Sequence, residues 1–311
     1  MENSGADSNL SRGPTLTMNF EGVYTAIITP FQNGGRDIDF GAYRELVERQ
    51  VAAGVAGIVP CGTTGESPTL THTEHTELIR RTVELVAGRV QVVAGTGSNS
   101  TAEAIALTRQ AASDGVDAVM LVNPYYNKPP QEGLFQHFRA VAEIARVPVV
   151  IYNIKSRTGV NVRVETFQRL LEIPNVQAVK EASGDLQQMA QIQRSCGHRL
   201  ALLSGDDNIT PAVMGIGGRG VISVASNIYP FRMTRMLQCY LAGDFTKGNE
   251  IFYQLLDFMN ALFWEPNPIP VKAAAEIRGL ASRAVRLPLV ELSAARREKL
   301  AAIMEAAGAD Q

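Results

Sequence analysis

At 311 residues and 45% hydrophobic content, the chain is long enough to bury one large α/β core or two smaller ones. Its 29 basic and 31 acidic residues leave a net charge of −2, so it carries no polyanion footprint and nucleic acid is not an expected partner. No apolar run approaches the ~20 residues that span a bilayer, so no membrane partner is expected. The cysteines Cys61, Cys196 and Cys239 lack CxxC or His spacing, which argues for reduced thiols in a cytosol and against a disulfide frame or zinc site.

Residues 1–17 are rich in Ser, Asn and Gly, lack the apolar core of a signal peptide, and are expected to form a disordered tail. Met18 precedes the first strand pattern and is a second candidate start. From Gly22 onward, short β-branched runs alternate with segments of helical period. Strands are expected at 23–29, 57–60, 90–94, 118–122, 149–152, 177–180, 201–204 and 220–224, and helices at 40–53, 73–87, 101–113, 131–145, 164–171, 186–194 and 209–216. Eight βα units make the fold class α/β, a TIM (β/α)8 barrel over 18–242, rather than an open sheet. Residues 243–311 lose the strand signal and are expected as a C-terminal helical extension, with helices at 245–263, 271–279 and 294–307.

In a barrel the loops after the strands share one face, where active sites lie. These loops hold the unusual residues. Lys180 ends an apolar run, and a buried lone ammonium is costly because desolvation disfavours the charged form. Attack on a ketone needs the neutral amine, which makes Lys180 a Schiff-base candidate. Tyr152 ends the preceding strand and could move protons for imine formation. Thr63 and Thr64 sit in a Gly-flanked turn whose amides suit a carboxylate, without the lysine of a nucleotide loop. Gly95-Thr96-Gly97 lacks the third glycine of a dinucleotide fingerprint. Arg157 follows the Tyr152 strand and could clamp a second carboxylate. Together with a second phenol these describe a class I aldolase-type site for an α-keto acid. His137 and His198 are expected as ordinary surface histidines.

The stretches Gly62-Thr63-Thr64-Gly65-Glu66-Ser67, Pro124-Tyr125-Tyr126-Asn127, Tyr152-Asn153 with Ser156-Arg157-Thr158-Gly159, Val179-Lys180-Glu181-Ala182, Leu203-Ser204-Gly205-Asp206-Asp207, Gly220-Val221-Ile222-Ser223-Val224 and Glu265 to Lys272 closely resemble the 4-hydroxy-tetrahydrodipicolinate synthase (dihydrodipicolinate synthase) family of lysine and diaminopimelate biosynthesis. The resemblance runs unbroken from about Phe20 to Leu300. It implies a Schiff base between Lys180 and pyruvate, with the pyruvate carboxylate held by the amides of Thr63 and Thr64. It implies a proton relay of Thr64, Tyr152 and Tyr126, the last reaching in from a neighbouring subunit, and an Arg157 that receives the carboxylate of L-aspartate 4-semialdehyde. Gly205 and Ile222 match supporting positions. No cofactor or metal is implied.

The resemblance also implies a cytoplasmic homotetramer, built as a dimer of dimers. Ser67, Pro68, His72, His75, Asn99, Glu103 and Tyr125 match the site at which L-lysine inhibits sensitive members, and Asn99 and Glu103 are expected to share a helix face. One departure stands out: Ile154-Lys155 occupies the place of the family's usual Val-Pro, which is expected to loosen the loop that presents Arg157. Other pyruvate-dependent aldolases, such as N-acetylneuraminate lyase and the keto-deoxy sugar acid aldolases, share the barrel and lysine. A non-catalytic ligand-binding barrel predicts a broken Lys180, Tyr152 or Thr64, and all three are present.

Overall fold

A computed structural model describes residues 17–310, so residues 1–16 of the expected tail lie outside the described residues. Eight parallel strands close a barrel: β1 Gly22–Ala26, β2 Gly57–Val59, β3 Gln91–Gly95, β4 Ala118–Val122, β5 Val149–Asn153, β6 Val176–Glu181, β7 Ala201–Ser204 and β8 Gly220–Ser223. Each strand pairs with its sequence neighbours, and β8 closes onto β1 with Val23 opposite Val221. The continuous apolar runs have the composition that strands buried on both faces require.

Side chains alternate between two cores. Val149 and Ile151 of β5 and Val179 of β6 join the layer between strands and helices, whereas Val150, Tyr152 and Ala178 join the barrel interior. Lys180 follows the interior phase of Ala178, and Glu181 the outer one. That phase places the lysine on the barrel axis side at the strand's C-terminal end.

The expected strand 23–29 ends at Ala26: Ile27 N still donates to Val59 O at 3.2 Å, but the amide after it leaves the ladder. Ile28 N donates to Asn227 Oδ1 at 3.0 Å, and Asn227 Nδ2 donates back to Ala26 O at 2.8 Å. Among the elements that escaped the periodicity are a hairpin of Phe31–Gln32 and Asp37–Ile38, a helical turn at Lys155–Thr158, and the barrel helix Pro230–Leu241. Beyond the barrel lie the helices Phe245–Ala261, Ile269–Ile277 and Ala294–Ala307. Among the described residues no helix is long and apolar enough to cross a membrane.

Candidate active site

Lys180 is 5% exposed, so it does not reach solvent as most strand-end lysines do. It stands directly opposite Tyr152 in the β5–β6 register, with its Nζ 4.1 Å from the centre of the Tyr152 ring. Among the described residues no carboxylate forms an ion pair with it. Two carboxyls after β7 feel its charge: burial pushes Asp206 and Asp207 above their usual range, opposed at Asp206 by the charge of Lys180 and at Asp207 first by the Ser223 hydroxyl and the Ala225 and Val224 amides, then by Lys180. Asp207 Oδ2 is already committed to the amides of Val224 and Ala225, each at 2.9 Å.

A polar lattice behind the strand ends fixes this arrangement. Asn123 of the loop after β4 donates to Asn153 Oδ1 at 2.8 Å, and Asn153 Nδ2 donates to Glu181 Oε2 at 2.9 Å. The amide of Ser183 donates to Glu181 Oε1 at 2.7 Å. Burial raises the Glu181 pKa, and these donors oppose the rise. Gly205 lets the β7 loop close over the same strand end, because a Cβ there would stand 2.5 Å from the Ala182 Cβ. Ile222 is buried on β8 opposite Tyr24.

The turn after β2 is bracketed by two non-glycine residues with left-handed backbone, Cys61 (φ 56) and Glu66 (φ 53), a strain that clusters at functional loops. Within it the amides of Gly65, Glu66 and Ser67 donate to the carbonyls of Gly62, Thr63 and Gly62. Among the described residues the amides of Thr63 and Thr64 donate to no group, which leaves both available to an anion. The buried Thr64 hydroxyl accepts a hydrogen bond from Asn267 Nδ2 at 2.9 Å. Arg157 is exposed on its helical turn, and its Nη2 donates to Asn267 O at 3.1 Å.

Thr63, Tyr152 and Arg157 line a cavity of about 380 Å³ that runs on to Ser67, His72 and Glu103. Pro68, His75 and Tyr125 also line it, whereas Asn99, Thr64, Lys180 and Tyr126 do not. His72 Nε2 lies 2.8 Å from Glu103 Oε1, and Ser98 Oγ donates to Glu103 Oε2. The Ser98 hydroxyl and then His72 hold the Glu103 carboxyl below its usual range. His75 bonds Gly95 O at 3.0 Å, and burial lowers its pKa. Contrary to the expectation of a shared helix face with Glu103, Asn99 lies outside the helix, ahead of the N-cap Ser100 of Thr101–Ser113. Tyr126 is 89% exposed with a left-handed backbone (φ 70).

His137 corrects another expectation. It is buried, its Nδ1 lies 2.9 Å from Thr101 Oγ1, and burial pushes its pKa down to about 4. His198 is exposed as expected. The residues missed by sequence reasoning are Asn267, Glu66, Lys272 and Arg286. The Lys272 ammonium lies 2.6 Å from Glu66 Oε1 with both side chains fully buried, and Arg286 binds Glu74 through two nitrogens at 2.6 and 2.8 Å. A lone charge on the otherwise apolar start of helix Ile269–Ile277 was the available signal for Lys272. Among the described residues no group of three His, Cys, Asp or Glu side chains is placed to hold a metal ion.

A (β/α)8 barrel that sets a buried lysine, without a carboxylate partner among the described residues, beside a phenol, with open amides and an arginine nearby, defines a Schiff-base-forming lyase of the class I aldolase type. Residues 19–307 match the Dihydrodipicolinate synthetase family, and the chain belongs to that family. A 4-hydroxy-tetrahydrodipicolinate synthase of Leptospira biflexa is 54% identical over 275 residues, covering 88% of this chain and 92% of its own. The solved synthase of the methanotroph Methylacidiphilum fumariolicum superposes with a TM-score of 0.91 at 44% identity, covering 93% of this chain and 96% of its own. The synthase of Cyanidioschyzon merolae with lysine bound gives a TM-score of 0.90 at 43% identity, covering 93% and 98%.

Proposed function

We propose that the chain acts as a 4-hydroxy-tetrahydrodipicolinate synthase through Lys180, and the observation that carries this is the buried amine, in no ion pair among the described residues, against the Tyr152 ring. Its amine attacks C2 of pyruvate, and the carbinolamine loses water to give the imine. The open amides of Thr63 and Thr64 hold the pyruvate carboxylate. Loss of a C3 proton gives the enamine, whose C3 forms the new bond to the aldehyde carbon of L-aspartate 4-semialdehyde while the aldehyde oxygen takes up a proton. The amine of the semialdehyde then attacks C2, closing the ring and releasing Lys180. Thr64 and Tyr152 carry protons with Tyr126 of a neighbouring subunit, and the exposed, strained Tyr126 is consistent with a residue completed by assembly. Arg157 takes the semialdehyde carboxylate, with Gly205 and Ile222 shaping the pocket.

The assembly in this reading is a dimer of dimers, and the three unpaired cysteines suit a reducing cytosol. L-Lysine binds at Ser67, Pro68, His72, His75, Asn99, Glu103 and Tyr125, where Glu103 neutralises its ammonium. The cavity that joins this group to Thr63 and Tyr152 supports a route by which lysine inhibits. Borohydride reduction in the presence of pyruvate should add one pyruvyl group per chain, at Lys180 by peptide mass spectrometry. Labelling elsewhere, or none, would overturn the mechanism.

A further inference from the structure

Asn267 lies on the C-terminal segment, more than two hundred residues from the turn it touches. Its side chain is buried, its Nδ2 donates to Thr64 Oγ1 at 2.9 Å, and its Oδ1 has no partner among the described residues. Its backbone oxygen accepts from Arg157 Nη2 at 3.1 Å. The segment is tied to the same turn a second time, because Lys272 pairs with Glu66 at 2.6 Å. Two cross-links therefore set Asn267 against Thr64 with little freedom.

A hydroxyl has one proton to donate and two lone pairs with which to accept. The Asn267 amide uses one lone pair of Thr64 as a pure donor. What remains is one acceptor site and one proton, so a hydroxyl in this position can take a hydrogen bond from one phenol and give one to the other. We propose that Asn267 is a positioning residue that polarises the Thr64 hydroxyl for one-way proton transfer, and that through its carbonyl it ties this relay to the arginine that receives the second substrate. The inference rests on the reading of Thr64 as a relay hydroxyl.

Two substitutions separate polarity from shape. Asn267→Ala removes the donor, and Asn267→Asp keeps the shape but offers only acceptors once ionised. Arg157 on the carbonyl of the same residue favours that ionised form, while the Lys272–Glu66 and Arg296–Glu265 pairs are each neutral overall. The carboxylate would draw the Thr64 proton towards itself and reverse the relay. For Asn267→Ala we expect kcat to fall about 10- to 100-fold, with KM for pyruvate nearly unchanged and a larger solvent deuterium isotope effect on kcat. The isosteric Asn267→Asp should be slower than Asn267→Ala.

A merely structural role predicts the opposite order, with the isosteric variant the more active and the isotope effect unchanged, and that result would overturn the proposal. If Asn267→Asp fails to fold by circular dichroism, the isotope effect of Asn267→Ala decides alone. Pyruvate trapping by borohydride in the parent protein keeps the two readings apart: its failure removes the lyase mechanism, whereas successful trapping with unaltered variants removes only the role of Asn267.

Discussion

Two buried lysines sit over aromatic rings at nearly equal distances, Lys180 at 4.1 Å from the Tyr152 centroid and Lys272 at 4.0 Å from that of Phe31. They differ in what else they touch. Lys272 is fully buried and paired with Glu66, inside a cluster in which Arg286 also covers Phe31 and gives its amide to Glu66 Oε2 at 3.0 Å. Lys180 has the ring and no carboxylate partner among the described residues. A buried charge that is paired acts as a structural link, whereas one left without an anion costs stability. Burial alone therefore does not mark a nucleophile; the missing partner does.

The largest effect that tests the contrast is on turnover. Lys180→Met should lower kcat by at least about 10³-fold, as expected for loss of the proposed covalent nucleophile, while leaving the melting temperature unchanged or raised. A fall of many degrees would show that Lys180 supports the fold as Lys272 does. The reciprocal change is in stability. Lys272→Met strands Glu66 without its cation in a buried site, at a cost of about 3–5 kcal/mol. Combining it with Glu66→Gln should recover most of that loss in urea titrations, and additive losses would refute the pairing.

The barrel and its lysine were legible because both signals are local. Strand runs and βα spacing lie within tens of residues, and Lys180 announces itself as a charge closing an apolar strand. The supporting cluster joins partners far apart in sequence: Asn267 with Thr64, Lys272 with Glu66, Arg286 with Glu74. No periodicity encodes such pairs. His137 was misjudged because helical spacing does not tell which neighbour covers a face, and here helix Thr101–Ser113 does so through Thr101. The turn at Lys155–Thr158 is too short to show a period at all.

Acid should loosen the supporting cluster. Arg286, and behind it the amide of Thr71, hold the Glu74 carboxyl down at about 2 from an ordinary value of 4.5. A carboxyl with a depressed folded-state pKa contributes stability that is fully present above its unfolded value and is lost as pH falls through the folded one. The window here is 4.5 down to about 2, and the contribution is at most about 3 kcal/mol for a side chain that keeps 26% exposure. Glu74→Gln should therefore be less stable than the parent near neutrality, with the gap closing as pH drops through that window. A gap independent of pH would place the effect in packing or capping.

The smallest effect concerns the loop that carries Arg157. The Ile154-Lys155 pair does not leave it loose: Thr158 N and Oγ1 bond Ile154 O at 3.1 and 2.7 Å, and Gly159 N bonds Lys155 O at 2.9 Å. Lys155 opens the turn, where an N–H has no helical partner and proline fits without losing a bond. It is exposed, so its side chain gives up little. Against this, Ile154 has ψ 88, short of the range that a residue before proline prefers, and it is buried. The entropy gain of about 0.4–1 kcal/mol from fixing the unfolded chain should exceed the cost of that small rotation. Lys155→Pro is thus expected to raise the melting temperature slightly and to shift KM for aspartate semialdehyde more than that for pyruvate, because in the proposed mechanism only the former meets Arg157. A destabilised variant would mean that the buried Ile154 cannot turn, and equal shifts in both KM values would separate residue 155 from the placement of Arg157.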